Sequence, residues 1–300
     1  MNNKFNFSSK FRLANIFSII LFIISVSFIF FKGLNYGIDF KGGTLIELRS
    51  NNTSAPEIRS LLNKMNLGDI NVKNFGQDGD YLIKVEQKDN DQNRIIPQIK
   101  KNLSKNLGSE ISFRRVENVG PKVSSELLQS GVIAISLSLA AMLFYIWIRF
   151  EWQFSFGSII ALFHDVVITL GIFSVLSLEI NLSIIAAVLT IVGYSMNDTV
   201  VIYDRIRENL NKYNRLNISE IADLSINDTL ARTIITSITT LLALLSIFIL
   251  GGEILRGFSF AMILGVVIGT YSSIFVASPM LKFFKVTYKT LEKEEEKIVP

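Results

Sequence analysis

Asp198 and Asn197 lie inside an apolar run, Ile191-Val-Gly-Tyr-Ser-Met-Asn-Asp-Thr-Val-Val-Ile-Tyr203, with Gly193 one turn before them. A carboxylate in such surroundings costs about 2.5–3.5 kcal/mol on insertion into a bilayer, and groups of this kind mark proton relays and ion pathways. Arg232, early in another apolar run, is followed at helical spacing by Thr236, Thr239 and Thr240. If the two segments are antiparallel neighbours, Asp198 and Arg232 reach similar depth, with threonine hydroxyls lining the gap between them. Moving a carboxylate to and from a guanidinium changes its hold on a proton, so a change in helix spacing would load and release protons. The plainer alternative is a structural ion pair that only joins two helices. His164 and Asp165 interrupt a third apolar run. They either extend a proton path from the cytoplasm, hydrogen-bond to a neighbouring helix end, or snorkel toward the interface.

These residues need a membrane-embedded scaffold to position them, and the composition provides one. The 300 residues are 49% hydrophobic and only 19% charged, with the charges clustered between long apolar runs. That pattern is an integral membrane protein with several spans. With no cysteine, disulfides, thiolate metal sites and cysteine nucleophiles are excluded. A single histidine, His164, argues against a histidine-built metal centre. There is no Gly-rich loop ending in Gly-Lys-Ser/Thr. The expectation is therefore no enzyme activity, no metal and no cofactor, with energy coming from elsewhere.

Six stretches, near 16–31, 131–148, 156–176, 182–203, 233–250 and 258–283, are apolar enough to cross about 30 Å of hydrocarbon. Phe30-Phe31-Lys32 offers no small-residue cleavage site, so the first reads as a retained anchor. Basic residues in the N-terminal tail, at Arg149, between 205 and 232 and from Lys282 onward fall on one side. That side should be cytoplasmic, with both termini inside. The fifth span should open with Asn227 or Thr229 as its cap. Gly193 should let a neighbouring helix approach, and Ala261, Gly265, Gly269 and Ser273 form a small-residue stripe for close packing. Asp204, Arg205 and Arg207 fit interface anchors, and the charge run 292–297 fits a solvated helix end or tail.

The long stretch between the first two spans reads as a small soluble domain. Strand character at 44–49, 69–75, 81–87 and 110–117 alternates with helices at 56–65, opened by Ser54 or Thr53, and 91–107. The order β-α-β-β-α-β predicts a ferredoxin-like two-layer fold. Gly37, Gly42 and Gly43 surround Asp39 and Phe40 where the first span meets the first strand. Their permissive backbone suits a tightly packed coupling turn, or a turn required only for folding.

At this point the chain resembles the SecF branch of the SecD/SecF family, within the resistance-nodulation-division superfamily. Gly193-Tyr-Ser-Met-Asn-Asp-Thr-Val-Val-Ile-Tyr-Asp-Arg-Ile-Arg-Glu-Asn209 is similar to the family's fourth-span signature. Gly37-Ile-Asp-Phe-Lys-Gly-Gly-Thr44, His164-Asp165 and Leu230-Ala-Arg-Thr-Ile-Ile-Thr-Ser237 match three further segments in order. Asn197 stands where many relatives in the superfamily carry a second aspartate. The resemblance implies a polytopic α-helical inner-membrane protein of six transmembrane helices with a small α+β ferredoxin-like periplasmic domain between helices 1 and 2. The implied divisions are a tail at 1–14, the first helix at 15–34, the domain at 35–128, helices 2–6 at 129–283 and a tail at 284–300. It further implies a SecD partner, the SecYEG channel, SecA indirectly and a translocating preprotein, with proton flow driving export. Asp198 would carry the proton, with Arg232 as charge partner and Asn197 beside them. His164, Asp165 and Thr236 would form a possible path. The rivals are a small-molecule exporter subunit of the same superfamily and a non-transporting scaffold. Na⁺ in place of H⁺ would use similar residues.

Overall fold

Long uninterrupted runs of Ile, Leu and Phe fold here as helices because in lipid every backbone group must be satisfied within the segment. The computed structural model describes residues 5–50, 53–65, 67–86, 92–107, 111–213 and 215–295. Residues 1–4, 87, 91, 110 and 296–300, at the ends of expected tails, strands and a helix, lie outside the described residues. Among the described residues, six helices are long and apolar enough to cross a membrane. The first, α1 (Phe11–Phe31), leads through a two-residue strand β1 (Asn35–Tyr36) and a single helical turn α2 (Ile38–Lys41) into the α+β domain.

That domain comprises β2 (Gly43–Arg49), α3 (Ala55–Asn63), β3 (Asp69–Asn74), β4 (Asp80–Glu86), α4 (Gln92–Leu107) and β5 (Ser112–Val119). Its sheet runs β3-β4-β2-β5 with every pairing antiparallel, the ferredoxin-like arrangement. Alternation along the strands turns one face inward. Ile46, Leu48, Ile83, Ile58, Leu62, Ile99 and Leu103 pack there between sheet and helices. Asp80 is held by Arg49 at 2.6 and 2.8 Å and by Arg114 at 3.3 Å.

The chain re-enters the bundle as α5 (Pro121–Arg149), then α6 (Trp152–Val175), the short strand β6 (Glu179–Ile180), α7 (Leu182–Lys212), α8 (Ile218–Leu250) and α9 (Gly252–Ser272). α6, α7 and α9 form the centre, where Ala161, Ile168, Ala187, Val192, Ala261 and Val266 are buried. α1, α5 and α8 are peripheral and keep Ile23, Leu137 and Leu242 on exposed faces. Close approach of α9 to α7 depends on glycine. A Cβ at Gly269 would lie 3.2 Å from the Cα of Ser195, and one at Gly265 would collide with Ile191.

The sixth span is not one uniform helix. A π-turn at Ser273–Ala277 separates α9 from α10 (Ser278–Phe283), and the Ser278 hydroxyl donates to the Ser273 carbonyl at 2.9 Å. The chain then continues into α11 (Tyr288–Glu295). α8 starts ten residues before the expected cap, at a capping box formed by Asn217 and Glu220. Neither Asn227 nor Thr229 opens it, because Ile221, Ala222, Ser225 and Ile226 continue the buried stripe beyond the apolar run. The Asn227 amide instead donates to the Phe5 carbonyl at 2.8 Å.

Candidate functional site

The coupling turn is built from backbone demands. Gly42 and Gly43 have φ of +79° and +137°, and a Cβ at Gly43 would sit 2.5 Å from the Val85 carbonyl. Only glycine suits that pair. One turn earlier, the Gly37 amide donates to the Ile180 carbonyl at 2.8 Å, and β1 pairs in parallel with β6. Asp39 then accepts the Leu182 amide at 2.9 Å, while Asn181 caps Ile184 at 3.2 Å. Both carboxamide and carboxylate thus satisfy otherwise orphan donors at the start of α7. Lys84, on the sheet face away from the domain core, forms an ion pair with Glu179. The domain is therefore fastened to the α6–α7 connection from two directions.

Within the bundle the sequence places Asp198 on the buried face of α7. It is 3% exposed, and the Thr270 hydroxyl of α9 approaches its Oδ2 at 3.5 Å. Thr270 in turn pairs with Ser237 of α8 at 2.8 Å. The expected ion pair with Arg232 is not formed. Arg232 lies on the exposed flank of α8, without an ion pair among the described residues, and acts on Asp198 only through space. The reason is helical phase: Thr233 and Ser237 point inward, which turns Arg232 about 100° away. Thr236 and Thr239 do not line a gap either, since their hydroxyls bond to carbonyls of their own helix.

Two further expectations are corrected by the geometry. Asn197 is exposed, pointing away from Asp198. Gly193 admits no neighbour, as a Cβ there would meet nothing within 4 Å. Gly265 and Gly269 carry the close helix contact instead.

Asp165 proves to be the most enclosed carboxylate, at 0% exposure, and does not reach an interface. Its Oδ2 accepts from Ser195 of α7 at 2.6 Å and from Ser272 of α9 at 2.7 Å, and its Oδ1 meets His164 Nδ1 at 2.9 Å. Beside this cluster Thr199 and Ser273 share a hydrogen bond of 2.9 Å. Ser195, Ser237, Thr270 and Ser272 were not singled out from sequence. For Ser195 and Ser237 the signal is the recurrence of hydroxyls at four-residue spacing, Ser195/Thr199 and Thr233/Ser237, on inward stripes; Thr270 and Ser272 carry no such spacing.

At the end of the bundle away from the α+β domain, ion pairs join neighbouring elements. Arg149 meets Asp204 at 2.9 Å, Arg205 meets Asp228 at 2.9 Å, and Arg207 meets Glu151 at 3.0 Å. Among the described residues no group of three or more His, Cys, Asp or Glu side chains could hold a metal ion.

Fold and site together define a multi-pass membrane protein with a ferredoxin-like domain inserted after its first helix and carboxylates buried between its central helices. Residues 99–287 match the family model described as protein export membrane protein SecD/SecF, C-terminal, and residues 27–53 match the SecD/SecF GG motif. The chain belongs to the SecD/SecF family. It is 46% identical over 294 residues to the protein translocase subunit SecF of Rickettsia rickettsii (strain Sheila Smith), covering 96% of each chain. The corresponding subunit of Rickettsia bellii (strain OSU 85-389) is 46% identical over 282 residues, with 93% of each covered. Among solved structures, SecDF of Thermus thermophilus, a translocon-associated membrane protein, superposes with a TM-score of 0.85 at 36% identity. The alignment covers 95% of this chain and 39% of that longer one. A SecDF structure in a super-membrane-facing form gives 0.70 at the same identity, covering 99% of this chain and 40% of that one.

Proposed function

We propose that this chain is a non-enzymatic accessory subunit of the Sec protein translocase, using the proton-motive force to complete preprotein export. The observation that carries this reading is that one helix, α7, holds both ends of the device. Asp198 sits buried along its length, and its N-terminus holds the α+β domain through Asp39 and the adjacent Glu179. A proton bound or released at Asp198 alters its bond to Thr270 and hence the seating of α7 against α9 and α8. Displacement of α7 is transmitted to the domain through the coupling turn. Arg232, free of ion pairs on the flank, is the charge partner that Asp198 meets in another helix arrangement.

The remaining parts follow from the family. The basic ends of the helices support a reading with both termini in the cytoplasm and the α+β domain in the periplasm of a bacterial inner membrane. The exposed apolar faces of α5 and α8 suit a SecD subunit with six spans of its own. Such a pair would act with the SecYEG channel on the emerging preprotein, after SecA, and would need no cofactor beyond the gradient. The test is export into vesicles containing this chain, SecD and SecYEG, with and without a proton gradient. Gradient-stimulated export that disappears when this chain is omitted is the expected result. Stimulation independent of this chain contradicts the proposal.

A further inference from the structure

We propose that the His164–Asp165 pair is a second protonation station of the same device, distinct from Asp198. The inference rests on the proton-driven reading above and extends it to a group that this reading leaves unused. Asp165 is wholly buried, and its three hydrogen-bond partners arrive from its own helix, from α7 and from α9: His164, Ser195 and Ser272. No arginine or lysine among the described residues pairs with it. The only other titratable side chain directly bonded to it is the imidazole of His164. Toward α1, the helix carrying the pair is met by Phe22 and Ser25, which carry no charge.

A tie between helices needs only the carboxylate and the two serines. The histidine adds something a tie does not use. His164 is 6% exposed, and its Nε2 is buried with no hydrogen-bond partner among the described residues. A polar atom kept in that condition is costly and calls for a role. An imidazole whose Nδ1 is occupied by a carboxylate has Nε2 left to take up or give away a proton. The step is balanced by the proton alone. H⁺ arriving from water on one side binds Nε2 while Nδ1–H stays donated to Asp165, and the same proton leaves to water on the other side. No covalent bond to carbon changes and no oxidant is needed. Ser195 and Asp198 lie one turn apart on α7, so station and carrier are linked mechanically through that helix.

The test uses the full chain with SecD and SecYEG in vesicles. Asp165→Asn keeps the hydrogen bonds: its oxygen accepts from Ser195 and Ser272 and its amide donates to His164. His164→Gln keeps a polar neighbour and removes the proton site. Each variant is expected to assemble with SecD yet to lose gradient-driven completion by about a hundredfold or more, the scale of a missing acid–base group. If Asp165→Asn fails to accumulate, His164→Gln decides alone. Full gradient-driven completion by His164→Gln, with an unchanged pH profile, overturns the station. So does full completion by Asp165→Asn. Asp198→Asn in the same vesicles separates the two ideas. Loss at Asp198 with retention at both His164 and Asp165 sinks only the second station. A wild type indifferent to the gradient sinks the parent reading.

Discussion

Asp198 is held loosely. A single hydroxyl at 3.5 Å is a weak tether, whereas Asp165 is gripped at 2.6 and 2.7 Å. A carrier must exchange partners, and the weaker tether suits it. Arg232→Ala should therefore abolish the gain from a gradient while Arg232→Lys retains part of it, as measured by export into energised vesicles. A purely steric role for Arg232 would instead favour alanine over lysine or spare both. At the same scale but outside the membrane, the Arg49 guanidinium holds the Asp80 carboxyl below the usual carboxylate range. Asp80 is thus more ionised folded than unfolded. Its stabilisation is present above the unfolded value of about 3.9 and fades as pH falls through the lower folded value. Amide protection in β2 and β4, corrected for the pH dependence of intrinsic exchange, should fall below about pH 4 in the full chain, and Asp80→Asn should remove that acid limb. The carboxylates were legible in the sequence because Asp198 and Asp165 stand alone in apolar runs. Their hydroxyl partners were not, since serine and threonine in apolar helices commonly bond their own backbone, as Thr236 does here. The outward turn of Arg232 was equally hidden, because sequence spacing fixes depth along a helix more firmly than which neighbour a face meets.

Among elements, α7 is the member that contacts everything with a role in the proposed device. Its outer end is capped by Asp39, its middle packs through Ser195 and Ile191 on the glycines of α9, and its far end is tied by Arg207 to Glu151. One of the two fastenings between the domain and this helix can be removed by itself, at the Lys84–Glu179 ion pair. Lys84→Gln should increase exchange in β6 and the first turn of α7 without unfolding the domain. The charge-swapped pair Lys84→Glu with Glu179→Lys should restore protection. Equal exchange in all three proteins would show that the coupling turn alone holds the domain. Gly265→Leu forces a side chain into Ile191 and should destabilise the helix pair by about 1–3 kcal/mol, seen as a lower melting temperature in detergent. Wild-type stability would contradict the packing of α9 on α7. The strands and helices of the domain were readable from alternation and turn residues, and the sheet order followed from their sequence. The start of α8 and the π-turn in the sixth span were not. A cap-forming Asn227 inside a helix looks like an end until the buried stripe upstream of it is known. A single inserted residue in a turn leaves no mark on apolar composition.

As a whole, the molecule is a well-packed three-helix centre with three helices whose outer faces remain apolar and exposed. Such a half-covered bundle makes physical sense as one side of a pair, and this chain aligns with only 39% of the longer SecDF chain of similar fold. Composition and the spacing of apolar runs made the span count legible, whereas the division into core and peripheral helices depends on packing that no single segment encodes. In the proposed mechanism, protonation of Asp198 powers this half of the machine. The most direct measurement is preprotein completion in vesicles carrying SecD, SecYEG and either the wild type or Asp198→Asn, with ATP removed once translocation has begun and a proton gradient then imposed. Completion in the wild type alone, at equal levels of assembled protein, is the expected result. Equal gradient-driven completion by Asp198→Asn would contradict it.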